Sequence, residues 1–413
     1  MFSFAENVYC VEGATGACIY NMSNLKLYRC DKASVELLHR VIKQSGESGT
    51  LTTEEANFLN QMLDESLVVE NADFFNNGDI SNLGRLLEEP KVTFVWIEVT
   101  DKCNLKCRHC YAESTPTRNH IMSQEDFKYT IDNLVASKIK KIQLIGGEPL
   151  VLGDLLKQMI EYASGKFELL EVYTNGTLLT DGWIDFFKKH NVRVALSLYS
   201  YEDKYHDYVT QLKGCHKKTT EAIKKLIDAE IPYRTAAVLM KDVEIGEQKE
   251  VQYSIMKKDV VRMSGRGNIK LLDKNLIQKR LITKDTFSNK INASLVYRNL
   301  KGHNCFARRV YISYDLIIYP CVMERRVNHG KLHGGNLYEC IDTNIQQFGK
   351  NQIAECKMCE YRYCCHDCRP DSLEEKAYDK KPWYCTYNPL LGVWDDKTAV
   401  INRILQGEKF EKL

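Results

Sequence analysis

The sequence lacks the features that would place the protein in a membrane or on nucleic acid. No uninterrupted apolar run in its 413 residues is long enough to cross a bilayer. The formal net charge is only +2, which gives no reason to expect a nucleic acid or an anionic membrane as a partner. The first residues also lack the basic segment and the apolar stretch of a signal peptide. We therefore expect a soluble, cytoplasmic, globular protein.

Cysteine, by contrast, is abundant and unevenly distributed. Of sixteen cysteines, three precede residue 31, three lie at 103–110, one is Cys215, and nine lie between 305 and 385. Without an export signal, clustered cysteines indicate metal binding rather than disulfides. Zinc explains some sites of four cysteines. It does not explain a C-x3-C-x2-C run that has no evident fourth ligand.

Residues 1–75 have the pattern of a small separate unit. Three short strand-like runs are separated by Gly13, Gly16 and Asn24. A helix after Asp31, a second helix after the capping box Thr52–Glu55 and a closing strand follow. This order predicts a winged-helix-like domain. The polar residues 76–91 are predicted to be a linker.

Strand and helix patterns alternate from residue 92 onward, which predicts an α/β domain over 92–300. Repeated β–α units give parallel strands, and six units make an open, partial (β/α)6 barrel with its functional loops at the carboxyl ends of the strands. The predicted strands are Val92–Val99, Ile142–Ile145, Leu169–Tyr173, Arg193–Leu198, Tyr233–Leu239 and Asp259–Met263. The predicted helices are 124–137, 154–163, 181–189, 216–228 and 244–257.

Residues 301–413 form a third predicted domain, which is rich in cysteine and poor in periodic patterns. One hairpin is expected at Val310–Pro320. A segment of this kind is expected to fold around metal.

The run Cys103, Cys107 and Cys110 directly follows the first barrel strand. Three thiolates can hold three corners of a [4Fe–4S] cluster, which leaves the fourth iron without a protein ligand. The alternative, three buried apolar cysteines, does not account for this spacing. We expect the run on the functional edge of the barrel.

Polar residues follow the next three strands at the same edge. Gly146 and Gly147 would let a ligand approach the backbone closely, and Glu148, before Pro149, offers a carboxylate to an ammonium group. Asn175 and Gly176 end the third strand, and Ser197 ends the fourth. Each alone is more often a turn or a strand end than a ligand site. Together they surround the cysteine run.

With these motifs, residues 92–265 resemble the radical S-adenosylmethionine (SAM) enzymes. The resemblance implies a SAM-binding [4Fe–4S] cluster on the cysteine run and a 5′-deoxyadenosyl radical that abstracts a substrate hydrogen. It also implies that SAM is contacted by Gly146, Gly147, Glu148, Pro149, Asn175, Gly176 and Ser197. The sequence offers no acid or base to which a catalytic role can be given.

The C-terminal cysteines resemble the SPASM extension of that family, which carries two auxiliary [4Fe–4S] clusters, so that three clusters are expected in all. The resemblance assigns an outer cluster to Cys356, Cys359, Cys365 and Cys385. It assigns an inner cluster to Cys305, Cys321 and Cys368, with Cys340 as a candidate fourth ligand. Cys364 is an alternative to Cys365, the roles of Cys340 and Cys215 stay open, and Leu316 stands where the family has glycine. Two zinc sites are the alternative for the whole region.

Residues 1–75 resemble the peptide-recognition element of enzymes that modify ribosomally made peptides, which binds a leader peptide at a sheet edge. The main hypothesis is therefore a maturase that forms a thioether or carbon–carbon crosslink in a precursor peptide, with flavodoxin or ferredoxin as electron donor. One alternative is oxidation of a protein side chain, as in sulfatase-maturing relatives. Another is a metal-scaffolded peptide-binding protein without catalysis.

Overall fold

The computed structural model describes residues 2–43, 51–70, 73–248, 253–288, 290–371 and 379–406. Within these ranges no helix combines the length and the apolar composition needed to span a bilayer. Three parts of the chain pack together around separate apolar clusters. They are an N-terminal unit, a parallel sheet with its helices, and a cysteine-rich region.

The N-terminal unit contains a three-stranded antiparallel sheet with the order β2–β3–β4 and a separate pair of strands, β1 and β5. The sequence predicted all of these elements except β1, and Thr52 and Glu55 form the expected capping box at the start of α2. Helix α3 lies inside 76–91, the segment that was predicted to be a linker. The elements are β1 Phe2–Phe4, β2 Val8–Glu12, β3 Gly16–Asn21, β4 Lys26–Asp31, α1 Lys32–Lys43, α2 Thr53–Asp64, β5 Val68–Glu70 and α3 Ile80–Leu86.

The central sheet has eight strands, and six of them, β6 to β11, run parallel in sequence order. This confirms the α/β class and the partial barrel. The sequence missed helix α7. The elements are β6 Phe94–Thr100, α4 Gln124–Ala136, β7 Lys141–Gly146, α5 Asp154–Ala163, β8 Leu169–Thr174, α6 Asp181–Lys189, β9 Arg193–Ser197, α7 Asp203–Thr210, α8 Cys215–Asp228, β10 Tyr233–Leu239 and β11 Lys257–Val260.

The helix predicted over 244–257 is wrong in its described residues, 244–248 and 253–257, and 249–252 lie outside the described ranges. The backbone there bonds to the ends of neighbouring strands instead of to itself. Tyr201 N donates to Ile245 O at 2.8 Å, and Ile255 N donates to the Tyr201 hydroxyl at 2.7 Å. These tertiary hydrogen bonds replace the bonds that a helix would have made.

The cysteine-rich region extends the barrel sheet. Strand β12 pairs in parallel with β6, and β13 pairs with β12 as the predicted hairpin. Leu316, in the hairpin turn, adopts the left-handed conformation with φ 70°. The elements from β11 onward are α9 Lys274–Arg280, α10 Ala293–Leu300, β12 Arg309–Ile312, β13 Ile318–Tyr319, α11 Thr343–Gln346, α12 Ala354–Lys357, β14 Tyr387–Asn388, β15 Val393–Trp394 and α13 Lys397–Leu405.

One face of the N-terminal sheet packs on the cysteine-rich region. Tyr20 on β3 donates its hydroxyl hydrogen to Glu360 O at 2.9 Å, and Arg29 on β4 pairs with the buried Glu360 carboxylate at 3.1 Å. Tyr361 and Tyr387 belong to the same buried apolar cluster as Tyr20. The N-terminal unit is therefore anchored to the segment that carries the last cysteines.

We expect Thr52→Ala to loosen the first turn of α2, because it removes the side-chain acceptor of the Glu55 N–H, 3.2 Å away. Loss of such a cap costs about 1 kcal/mol, which is roughly a fivefold change in an opening equilibrium. Amide hydrogen exchange of residues 53–56 should accelerate accordingly. Thr52→Ser keeps the acceptor and serves as control; equal exchange in both variants would contradict the cap.

Candidate active site

A cavity of about 330 Å³ lies at the carboxyl ends of the barrel strands. The three cysteines of the C-x3-C-x2-C run line it, as the sequence predicted for this edge. Further lining side chains come from β6 to β11 and from the segment after Cys321. Among them are Trp96, Gln143, Tyr173, Asn175, Ser197, Tyr199, Arg234, Lys257, Asp259, Arg262, Val322 and Met323.

The loop that carries the three cysteines is called the cluster loop here and spans residues 101–114. Burial raises the pKa of Cys103 to about 12, and burial likewise raises the pKa of Cys107. After burial, Cys103 and Cys110 are the neighbours that raise the pKa of Cys107 most. The three thiols therefore lie close together in a setting that disfavours thiolate unless a cation is bound.

Gly146 and Gly147 hold the cluster loop by close backbone contact. Gly147 N donates to Thr100 O at 2.8 Å, and Glu148 N donates to Lys102 O at 2.9 Å. A Cβ atom on Gly146 would collide with Thr100 O, and one on Gly147 would collide with Lys102 O. Both glycines line the cavity, but the close approach that they permit is that of the protein's own backbone.

Glu148 is fully buried and does not line the cavity. Its carboxylate accepts hydrogen bonds from Leu150 N at 3.1 Å, from the Thr174 hydroxyl at 2.7 Å and from Asn175 N at 2.7 Å. Burial raises its pKa to about 7, while these three donors favour the charged form. The side chain joins the turn after β7 to the turn after β8. Pro149, which is also buried, begins a short 3-10 helix outside the cavity lining.

Asn175 and Ser197 reach the cavity from the ends of β8 and β9. Asn175 Nδ2 donates to Asn104 Oδ1 of the cluster loop at 2.8 Å, so the two loops are joined. Gly176, with φ 80°, is not part of the lining and packs against Leu196 and α8. Of the predicted SAM contacts, four therefore line the cavity: Gly146, Gly147, Asn175 and Ser197.

Sequence reasoning missed two residues of the site. Arg266 Nε donates to Cys107 O at 2.8 Å, and Arg266 N donates to Cys110 O at 3.0 Å. Its segment follows the last barrel strand, where the alternating pattern ends, so no sequence signal pointed to it. His109 lines the cavity, and its buried Nδ1 has no hydrogen-bond partner in the part of the chain that the structure describes.

Cys215 is fully buried beside the cluster loop and packs with Cys103, Leu105 and Cys107. It begins helix α8 after Gly214. It does not line the cavity. The structure therefore places Cys215 behind the three cysteines and not among them.

The structure also brings together the two sets of C-terminal cysteines that the resemblance assigned. In the outer set the four thiols are mutual electrostatic neighbours, and in the inner set the three thiols are as well. No three His, Cys, Asp or Glu side chains of the described residues are arranged to hold a single metal ion. The outer set is Cys356, Cys359, Cys365 and Cys385, and the inner set is Cys305, Cys321 and Cys368.

Two further cysteines lie apart from these sets. The Cys340 thiol donates to His333 O and accepts from His333 N, both at 3.3 Å, within the barrel core. The Cys364 thiol accepts a hydrogen bond from the Tyr20 hydroxyl at 3.4 Å and faces the N-terminal sheet. Of the two adjacent cysteines, Cys365 thus belongs to the outer set, and the structure does not bring Cys340 to the inner set.

Comparison with known proteins identifies relatives of the barrel. The chain is 35% identical over 151 residues to the antilisterial bacteriocin subtilosin biosynthesis protein AlbA of Bacillus subtilis, which is 36% of this chain and 34% of AlbA. It is 31% identical over 144 residues to the sporulation killing factor maturation protein SkfB of the same organism, 35% of each chain. The matches thus span about a third of these relatives.

A solved structure shares the fold over most of the chain. Streptococcus suis SuiB bound to precursor peptide SuiA matches with a TM-score of 0.55 at 13% identity, and the match covers 92% of this chain and 99% of SuiB. Residues 97–251 match the Radical SAM superfamily. They include the cluster loop and the ends of β7 to β9. Residues 97–251 therefore form a Radical SAM domain, which uses S-adenosylmethionine and a [4Fe–4S] cluster.

Proposed function

We propose that this protein is a radical SAM enzyme that crosslinks a ribosomally made precursor peptide. The observation that carries the proposal is that the cavity lined by Cys103, Cys107 and Cys110 is also lined by Val322 and Met323, directly after Cys321 of the inner set. A substrate in this cavity lies between the two cysteine sites. The names of AlbA and SkfB, a bacteriocin biosynthesis protein and a maturation protein, and the SuiB–SuiA complex support a peptide substrate.

The donor set of the cavity fits the cofactors. Three buried thiols suit a [4Fe–4S] cluster, and the Nδ1 of His109 is a buried polar atom that a bound ligand can satisfy. When bound, the cluster and SAM supply a 5′-deoxyadenosyl radical. Cys103, Cys107 and Cys110 would hold the cluster, and Gly146, Gly147, Asn175 and Ser197 would line the SAM site. Arg266 and Glu148 fix the loops that carry these residues.

The inner and outer sets would each hold an auxiliary [4Fe–4S] cluster, which makes three clusters in the protein. Four cysteines complete the outer site. With Cys340 in the barrel core, the inner set supplies three. A peptide thiolate is a suitable fourth ligand, and it would reach the site through the cavity wall at Met323. This arrangement favours a thioether over a carbon–carbon bond.

The N-terminal sheet offers one edge for a leader peptide. The edge of β2 is covered, because Cys10 N donates to Gly78 O at 2.8 Å and Cys10 forms a bridge with Asp79. On the other side, β4 is the last strand of its sheet, and Lys26, Arg29 and Asp31 on it are exposed. An added peptide strand would therefore pair with β4. A flavodoxin or ferredoxin in the cytoplasm would supply electrons.

Co-expression with each short open reading frame that adjoins the gene tests the peptide proposal. Crosslinking removes two hydrogen atoms from the peptide, so the intact mass of one product should fall by that amount. The same peptide made with the Cys107→Ala variant should keep its full mass. Unchanged masses for every candidate peptide would argue against a peptide substrate in this genomic setting.

Cys107→Ala should also abolish formation of 5′-deoxyadenosine from SAM in reconstituted protein supplied with reductant, because the cluster then loses one of three protein ligands. Iron content should fall by about four atoms per chain. The matched control is Cys215→Ala, a buried thiol packed against the same loop but outside the cavity lining. It should retain both iron and 5′-deoxyadenosine. Retention of both by Cys107→Ala would falsify the assignment of the cluster loop.

Glu148→Gln should weaken SAM binding without removing iron. Its amide NH2 would face one of three donors, so the turn after β8 that carries Asn175 loses an anchor. A lost buried hydrogen bond of this kind costs about 1–2 kcal/mol, or roughly a 5- to 30-fold rise in the SAM dissociation constant. Equilibrium dialysis on reconstituted protein measures this. Glu168→Gln, an exposed position before β8, is the control and should bind SAM like the parent.

A further inference from the structure

A buried ionic group lies between the inner and outer sets. Asp367, Lys350 and Arg369 are all at most 3% exposed. Lys350 Nζ bonds to Asp367 Oδ1, and Arg369 Nη2 bonds to Asp367 Oδ2. Arg369 Nη1 also donates to Lys380 O at 2.8 Å. The carboxylate therefore holds two cationic side chains in fixed positions inside the protein.

This group carries one excess positive charge. His303 also contacts it, with Nε2 3.2 Å from Asp367 Oδ1. Because His303 Nδ1 accepts a hydrogen bond from Cys305 N at 3.2 Å, the ring is the neutral tautomer that donates through Nε2. Two cations and one carboxylate then leave a single positive charge buried. Such a charge is costly unless an anion lies nearby.

The neighbouring carboxylates are occupied by cations of their own. Arg326 binds Glu324 through Nε at 2.8 Å and through Nη2 at 2.6 Å. Arg262 Nη1 binds Asp371 at 3.1 Å, and Arg280 binds the same carboxylate. The remaining groups able to carry negative charge beside Arg369 are the cysteines. A cluster with thiolate ligands would supply the missing anion.

Arg369 acts on the outer set in particular. Burial raises the pKa of Cys356 to about 12, and the Arg369 guanidinium is the first charge that opposes this rise. Burial also raises the pKa of Cys365, which Arg369 again opposes. The group is joined to the inner set as well, through His303 and the backbone of Cys305. It thus lies where an electron would pass between two auxiliary clusters.

We propose that Arg369, held by Asp367 and Lys350, is a positioning residue that stabilises the added electron on the outer auxiliary cluster and raises its reduction potential. The proposal rests on the proposed function, in that it requires a cluster on the outer set. Reduction adds one negative charge to a cluster, and a fixed positive charge in a buried site favours that form. Asp367 has the opposite effect, because it offsets part of the positive charge.

The test is a redox titration of the reconstituted full chain, followed by electron paramagnetic resonance. Cys103, Cys107 and Cys110 are replaced by Ala so that only auxiliary clusters contribute, and the outer signal is assigned by its loss in Cys359→Ala. Arg369→Met should lower the ratio of reduced to oxidised outer cluster at a fixed potential about tenfold, which is about 59 mV for one electron. Arg369→Lys should keep the parent ratio.

Asp367→Asn should raise the same ratio, because it removes the offsetting charge and leaves both cations. Loosened packing would move both variants in one direction, so opposite shifts identify electrostatics. The matched control is Arg362→Gln. Arg362 Nη1 donates to Cys359 O at 2.9 Å from a partly exposed position, where solvent screens its charge. It should change the ratio little.

An unchanged ratio in Arg369→Met, or equal shifts in Arg369→Met and Asp367→Asn, would overturn the proposal. If Arg369→Met fails to retain outer iron, Asp367→Asn and Arg369→Lys decide. A raised ratio in the first with an unchanged ratio in the second supports it, and any other pair of results overturns it. If Cys359→Ala removes no iron from the chain, the outer cluster of the proposed function fails and the inference fails with it. Intact clusters with unmoved potentials would overturn the inference alone.

Discussion

The backbone contact between the turn after β7 and the start of the cluster loop is the constraint on which the site depends. Gly146 and Gly147 leave no room for a side chain at this contact. From here Glu148 extends the connection to the turn after β8, and Arg266 holds the opposite side of the loop. The cavity is thus bounded by backbone segments that are tied to one another, which keeps three thiols in place before any ligand binds.

The cysteine-rich region is built into the barrel and does not stand beside it. Strand β12 pairs with β6, the strand that leads into the cluster loop, and the segment after β13 reaches the cavity with Met323. On its far side the region receives the N-terminal sheet through Tyr20 and Glu360. Because each contact involves buried groups, the three parts share their cores, and a change in one alters the packing of the next.

The sequence was sufficient for the elements that rest on local patterns. The strand Tyr233–Leu239 and helices 154–163 and 181–189 have the predicted bounds, because apolar periodicity and helix starts are local signals. Side-chain direction is not local. Glu148 follows two glycines but turns away from the cavity, Cys340 lies in the barrel core, and Arg266 reaches the cluster loop from a segment without periodicity. Such placements depend on tertiary contacts between residues that are distant in sequence.

Leu316 links the timing of assembly to the fold. A leucine with φ 70° has an unfavourable backbone that costs about 1–2 kcal/mol, yet its side chain is 6% exposed and packs in the barrel core. Burial of a leucine returns about 1.5–3 kcal/mol. The turn is therefore stable only once the core has formed around it. Since Cys321 follows this hairpin, the barrel must fold before the inner cysteines are in position to accept iron.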